Sequence, residues 1–140
     1  MTSEVEMASD DVVIDESDRC PCSSGDVFGR CCGPIIDGAP APTAERLMRS
    51  RYTAFSLQDQ SHLLRTWHPS TRPETIEFEL DLRWRRLLVI DRVAGGPFDR
   101  EGVVEFEAVW RQGATRGSLH ERSRFLRDGR HWYYLDGDLY

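Results

Sequence analysis

Cys20, Cys22, Cys31 and Cys32 are all the cysteines of this 140-residue chain, and they fall within the single stretch CPCSSGDVFGRCC. Thiolate sulfur is a nucleophile and a soft metal ligand. Neither close pair is suited to a disulfide. One residue separates Cys20 from Cys22 and none separates Cys31 from Cys32, and adjacent Cα atoms lie only about 3.8 Å apart. A loop that folds back between the pairs brings all four sulfurs to one point. Ser24-Gly25 supplies its turn, and Gly29 and Gly33 relieve backbone crowding. Four sulfurs drawn from both ends of a short loop are the design of a structural zinc site. Ion binding would organise a segment too small to fold alone. Two alternatives stay open: thiolates also accept iron, and disulfides could cross from Cys20 or Cys22 to Cys31 or Cys32. Four equivalent ligands argue against a reactive redox thiol.

The elements that must hold this knuckle follow it. GPIIDGAPAP reads as a loop or linker. Thr43 then caps a helix with Glu45 in its first turn, where the macrodipole favours an acid. Ala44, Leu47, Met48, Tyr52 and Phe55 share one face at spacings of three and four. A second helix runs from its cap Asp59 through His62, Leu63, Leu64 and Trp67, and Pro69 stops it. In TRPETIEFELDL the alternation of Ile76, Phe78, Leu80 and Leu82 suits a strand. Thr71 with Glu74 forms a capping box and Pro73 fits a first turn, so a short helix is expected. From Trp84 onward, RWRRLLVIDRVAG, GVVEFEAVWRQ, SLHERSRFLR and HWYYLDG are separated by turn chemistry, which predicts an antiparallel meander. Helices first and a curved antiparallel sheet after them make an α+β layout.

The net charge of −6 is unevenly spread. Residues 1–18 carry seven acids and no base, so the other 122 residues sum to +1. The expected division is a disordered acidic tail over 1–18, a zinc knuckle over 19–34, a linker over 35–42 and an α+β domain over 43–140. All 18 basic residues are arginine. No lysine-rich footprint points to nucleic acid. No apolar run approaches the ~18 residues of a membrane span. The N-terminus lacks the basic-then-apolar layout of a secretory signal, which predicts a cytoplasmic protein.

The spacing C-x-C-x-S-G-x-x-x-x-x-C-C resembles the SEC-C motif. Together with LMRSRYTAF, TWHPSTR, LHERSRF and WYYLDG, it makes residues 19–137 similar to the YchJ-like family of bacterial proteins. That resemblance implies a metal knuckle joined to a cone-shaped domain similar to nuclear transport factor 2 and the cystatin-like folds. It also implies Cys20, Cys22, Cys31 and Cys32 as the ligands of Zn2+. The chain departs from the motif in two ways. Asp26, Val27 and Gly29 stand where lysines are usual, and Ser23 where glycine is common. Phe28 keeps the aromatic as a candidate apolar contact.

The resembled fold encloses a pocket between sheet and helices, but fold alone proves no activity. On SLHERSRF, alternation puts Leu119, Glu121, Ser123 and Phe125 on one face. An interior Glu121 could pair with Arg49 or Arg51 and lock helix to sheet. It could also act as a general base or acid. Tyr52, Trp67, His68 and Tyr134 would complete such a pocket with Glu121 and Ser123. His62 is expected in solvent, and His120 and His131 on exposed strand positions. No nucleophilic triad or phosphate-cradling glycine loop is present. The expected function is a zinc-binding, non-enzymatic adaptor with a protein partner. The alternative is a small-molecule-binding or isomerase-type cone using Glu121. Homodimerisation through the sheet's outer face is compatible with either.

Overall fold

A computed structural model describes residues 14–140. A 3-10 turn over Phe28–Arg30 leads into α1 (Cys32–Ile36), α2 (Ala44–Leu57) and α3 (Gln60–Arg65). Four strands follow: β1 (Leu82–Ala94), β2 (Glu101–Gln112), β3 (Thr115–Asp128) and β4 (His131–Leu139). They form one antiparallel sheet in sequential order, and α2 packs across β1, β2 and β4.

The caps read from the sequence are in place. Thr43 Oγ1 accepts from Arg46 N at 3.1 Å, and Asp59 Oδ1 accepts from His62 N at 3.1 Å. Each satisfies an amide that the first helical turn leaves without a partner. The expected apolar face of α2 is buried through Ala44, Leu47, Met48 and Tyr52. Inner positions of the strands meet it with Leu87, Val104, Ala108 and Phe125.

Helix α3 is shorter than expected. Thr66 Oγ1 turns back to His62 O at 2.7 Å, and Trp67 leaves the helix to bridge Tyr134. The short helix expected in TRPETIEFELDL does not form. Ile76 N donates instead to Gln60 Oε1 at 2.9 Å, and the Phe78 ring meets Phe55 edge-on at 6.1 Å. These tertiary contacts outweigh a capping-box preference that is worth only about 1 kcal/mol. Of the acidic leader, residues 1–13 lie outside the described residues. Residues 15–18 turn onto the knuckle, where Asp18 O accepts from Phe28 N and Glu16 O from Gly29 N. The stretch 35–42 is packed, with Ile35 and Ala41 buried, and α1 runs through residues 34 and 35.

Both sheet edges are engaged. At β4, Tyr134 N donates to Thr66 O and Tyr134 O accepts from His68 N. At β1, Leu87 N donates to Ser23 Oγ at 3.1 Å, close to a bulge between Trp84 and Arg86. Ser23 therefore closes an edge amide that would otherwise be open to a foreign strand. It does so from a left-handed backbone, φ 67°, which is why glycine suits this position. Ser23→Ala keeps the strain and loses the bond, an expected cost of about 1 kcal/mol in urea unfolding of the metal-loaded protein. In Ser23→Gly the relief of strain offsets the lost bond, and stability is expected within about 0.5 kcal/mol of wild type.

The outer face of the sheet carries ion pairs, and Leu88, Ile90 and Val93 of β1 are exposed. Arg122 bridges Asp91 and Glu105, and Arg124 bridges Asp136 and Asp138. His120, expected to be exposed, is half-buried and bonds Glu105 at 2.6 Å, whereas His131 is exposed.

Candidate metal centre and cone cavity

The loop after Cys22 reverses through Gly25, whose φ of 92° is left-handed, and Cys20 N closes it on Asp26 O at 2.9 Å. Cys31 and Cys32 are thereby carried back over Cys20 and Cys22 at the start of α1. All four cysteines are buried, and their Sγ atoms lie within 4.8 Å of one another. Cys22 Sγ is 3.5 Å from Cys31 Sγ, which is 4.0 Å from Cys32 Sγ. All four are free thiols, so the crossing disulfides are not formed. Four sulfurs placed about 2.3 Å from one zinc ion stand about 3.8 Å from each other. The donor set fits a tetrahedral metal.

Hydroxyls and arginines border the cluster. Ser24 Oγ lies 3.1 Å from Cys31 Sγ, and Thr53 Oγ1 of α2 lies 3.8 Å from Cys20 Sγ. Arg49 donates to Cys22 O at 2.8 Å and Arg46 to Cys31 O at 3.3 Å, pinning both limbs of the loop to α2. Bonds with Cys20 and then with Cys32 hold Cys22 far below the usual thiol range. Cys32 is pushed far up, first by its bond with Cys20, and burial pushes Cys31 up to about 11. Thiolate at all four positions is what a bound cation would supply. The sequence carried no signal for Thr53 as a neighbour of the cluster. Phe28 is half-buried and packs against the core.

Residues 43–137 match the family model described as YchJ, middle NTF2-like domain, and residues 17–34 match the SEC-C motif. The chain belongs to the YchJ family. A UPF0225 protein of Streptomyces coelicolor is 48% identical over 121 residues, covering 86% of this chain and 94% of its own. A UPF0225 protein of Chromobacterium violaceum is 47% identical over 123 residues, covering 84% and 90%. Among solved structures, a SEC-C motif containing protein from Rhodopseudomonas palustris superposes with a TM-score of 0.73 at 32% identity, covering 85% of this chain and 96% of that one. One from Psychrobacter arcticus gives 0.69 at 26% identity, covering 86% and 82%. The YchJ-family chain is thus an α+β, NTF2-like domain of helices on an open four-stranded sheet, preceded by a cysteine cluster able to hold a metal. Among the described residues no helix is long and apolar enough to cross a membrane.

Between α2 and the concave sheet lies a cavity of about 250 Å³. Five of the six expected pocket residues line it: Tyr52, Trp67, Glu121, Ser123 and Tyr134. His68 does not. Its Nδ1 meets Ser70 Oγ at 2.7 Å, and its ring packs on Tyr133. Glu121 faces inward as alternation predicts, but neither expected arginine pairs with it. Arg49 goes to Glu45, and Arg51 donates to Leu63 O and Thr66 Oγ1 while stacking on Trp67 and Tyr134 at 5.0 and 4.7 Å. Burial draws the Arg51 guanidinium down to about 10. Glu121 Oε2 accepts instead from Tyr134 Oη at 2.8 Å and Ser123 Oγ at 2.9 Å. The carboxylate lies over Gly137, where a Cβ would come within 3 Å of it. Burial, and then the Glu121 charge, push the Tyr134 phenol well above its usual range, so it stays a donor.

Proposed function

We propose that this protein is a zinc-binding, non-enzymatic adaptor of the bacterial cytoplasm, in which one metal ion fixes a small protein-docking surface on the cone. The observation that carries the reading is the convergence of four buried sulfurs inside 4.8 Å. Zinc is favoured over iron because a closed, buried set of four cysteines is a structural zinc geometry. The rim of the loop, with Arg19, Ser24, Asp26 and Arg30 exposed, is the contact surface. A protein partner is favoured over nucleic acid, since Arg122 and Arg124 are engaged by carboxylates.

The test is affinity capture from bacterial cytosol with the metal-loaded wild type and with Arg19→Glu plus Arg30→Glu, which leaves the sulfurs untouched. A partner retained by the first and lost from the second supports the reading. Identical capture by both, or none by either, contradicts it.

A second reading, a small-molecule-binding cone, is favoured by the cavity and by the lack of an arginine ion pair at Glu121 among the described residues. A general-base role for Glu121 is weakened because Oε2 already takes two hydroxyl donors.

A further inference from the structure

The cone cavity is walled by one cation and one anion that do not bind each other. Arg51 commits Nη1 to Leu63 O and Thr66 Oγ1, and its Nε and Nη2 make no hydrogen bond among the described residues. Glu121 commits Oε2 to Tyr134 and Ser123, and its Oε1 takes no donor among them. Both side chains line the same volume, whose remaining wall is largely aromatic, including Trp84, Phe106 and Phe125.

This arrangement restricts the occupant in three ways. Its body is apolar and planar, because it lies against ring faces and edges. Its net charge is zero. An anion would face Glu121 and a cation would face Arg51, each in a setting where an uncompensated charge is costly. Its polar end must donate to a carboxylate oxygen and accept from a guanidinium, and a hydroxyl is the smallest group that does both. Size follows from volume: an apolar cavity of about 150 Å³ holds benzene, so one of 250 Å³ holds about ten ring atoms.

We propose that the cavity binds an uncharged, hydroxylated bicyclic compound with its hydroxyl between Arg51 and Glu121. The proposal rests on the small-molecule reading and names the ligand class for it. Gly137 belongs to the same device, since its missing side chain lets the Glu121 carboxylate lie against β4.

The test uses the full-length, metal-loaded protein with three probes: 2-naphthol, 2-methoxynaphthalene and 2-naphthoate. Binding is followed by calorimetry and by quenching of tryptophan emission, since Trp67 and Trp84 line the cavity. The expected result is saturable binding of one 2-naphthol per chain, with the ether and the carboxylate each weaker by about tenfold or more, the loss of a hydrogen bond to a charged group. Glu121→Gln should weaken 2-naphthol by a similar factor and leave the ether unchanged. Leu119→Trp, which fills the space, should abolish both, with circular dichroism and metal content reporting that each variant is folded. Equal binding of 2-naphthol and its ether, or no effect of Glu121→Gln, overturns the hydroxyl assignment and leaves the small-molecule reading standing. Absence of saturable binding by any probe overturns both.

Discussion

Stripping the metal, or replacing Cys31 and Cys32 together by serine, is expected to unfold the α+β domain as well as the knuckle. Read from sequence, residues 19–34 are a separate knuckle and the ion organises that segment alone. The packing predicts otherwise. The four cysteines share one buried cluster with Ile35, Leu47, Met48 and Leu87, so α2 and β1 lean on the metal loop. Ser23 also closes the β1 edge, and Arg46 and Arg49 tie the loop carbonyls to α2. Structural zinc contributes roughly 10 kcal/mol or more to the small domains it organises, while a whole domain is stable by only about 5–15 kcal/mol. The cysteine variant is expected to lose most of its urea stability and near-ultraviolet circular dichroism. A cooperative unfolding transition within about 1 kcal/mol of wild type after chelation would show that the cone does not depend on the loop.

The second large effect is expected below neutral pH. His62, read from the sequence as solvated, is buried at 1% exposure. Arg65 donates to its Nδ1 at 2.9 Å, and its Nε2 lies 2.9 Å from Ser50 Oγ, which itself donates to Leu47 O at 2.7 Å. That chain assigns a neutral ring with the proton on Nε2, because Nδ1 must accept. Burial, then the Arg65 and Arg51 charges, draw the imidazole down to about 4, with Asp59 opposing. The unfolded chain binds the proton near pH 6.5, so it holds more protons than the native state between those values. The stabilisation from a neutral His62 is complete above about pH 6.5 and is lost as pH falls through about 4, an amount of about 3 kcal/mol. His62→Gln does not titrate. The stability difference between wild type and His62→Gln, measured by urea midpoints from pH 7 to 4, should shrink by about that amount. The comparison is read over the pH range in which both proteins keep their metal, where the difference should shrink by about 1.4 kcal/mol for each pH unit below 6.5. A difference constant with pH would place the His62 proton equilibrium in solvent.

The features legible in the sequence were those set by local chemistry. Cysteine spacing around Ser24-Gly25 specified the convergence of the sulfurs. Thr43 and Asp59 marked the helix starts, and period-two alternation put Glu121 and Ser123 on the inner face. The errors came where distant segments decide. Whether His62 meets water depends on Ser50, a full helix away. Whether 71–81 coils depends on Gln60 and Phe55. Whether Glu121 finds an arginine depends on the Leu63 carbonyl and the Thr66 hydroxyl at the end of α3, which claim Arg51 first. Ser23 at a position suited to glycine was visible as an anomaly, but its reason, the bare amide of Leu87, belongs to tertiary structure.

X-ray absorption at the zinc edge of the purified protein, with metal counted per chain, tests the central claim most directly. The expected result is one zinc per chain with four sulfur neighbours at about 2.3 Å and no nitrogen or oxygen ligand. Chains that carry no metal while all four thiols titrate as free, or an ion held by fewer than four sulfurs, would contradict it.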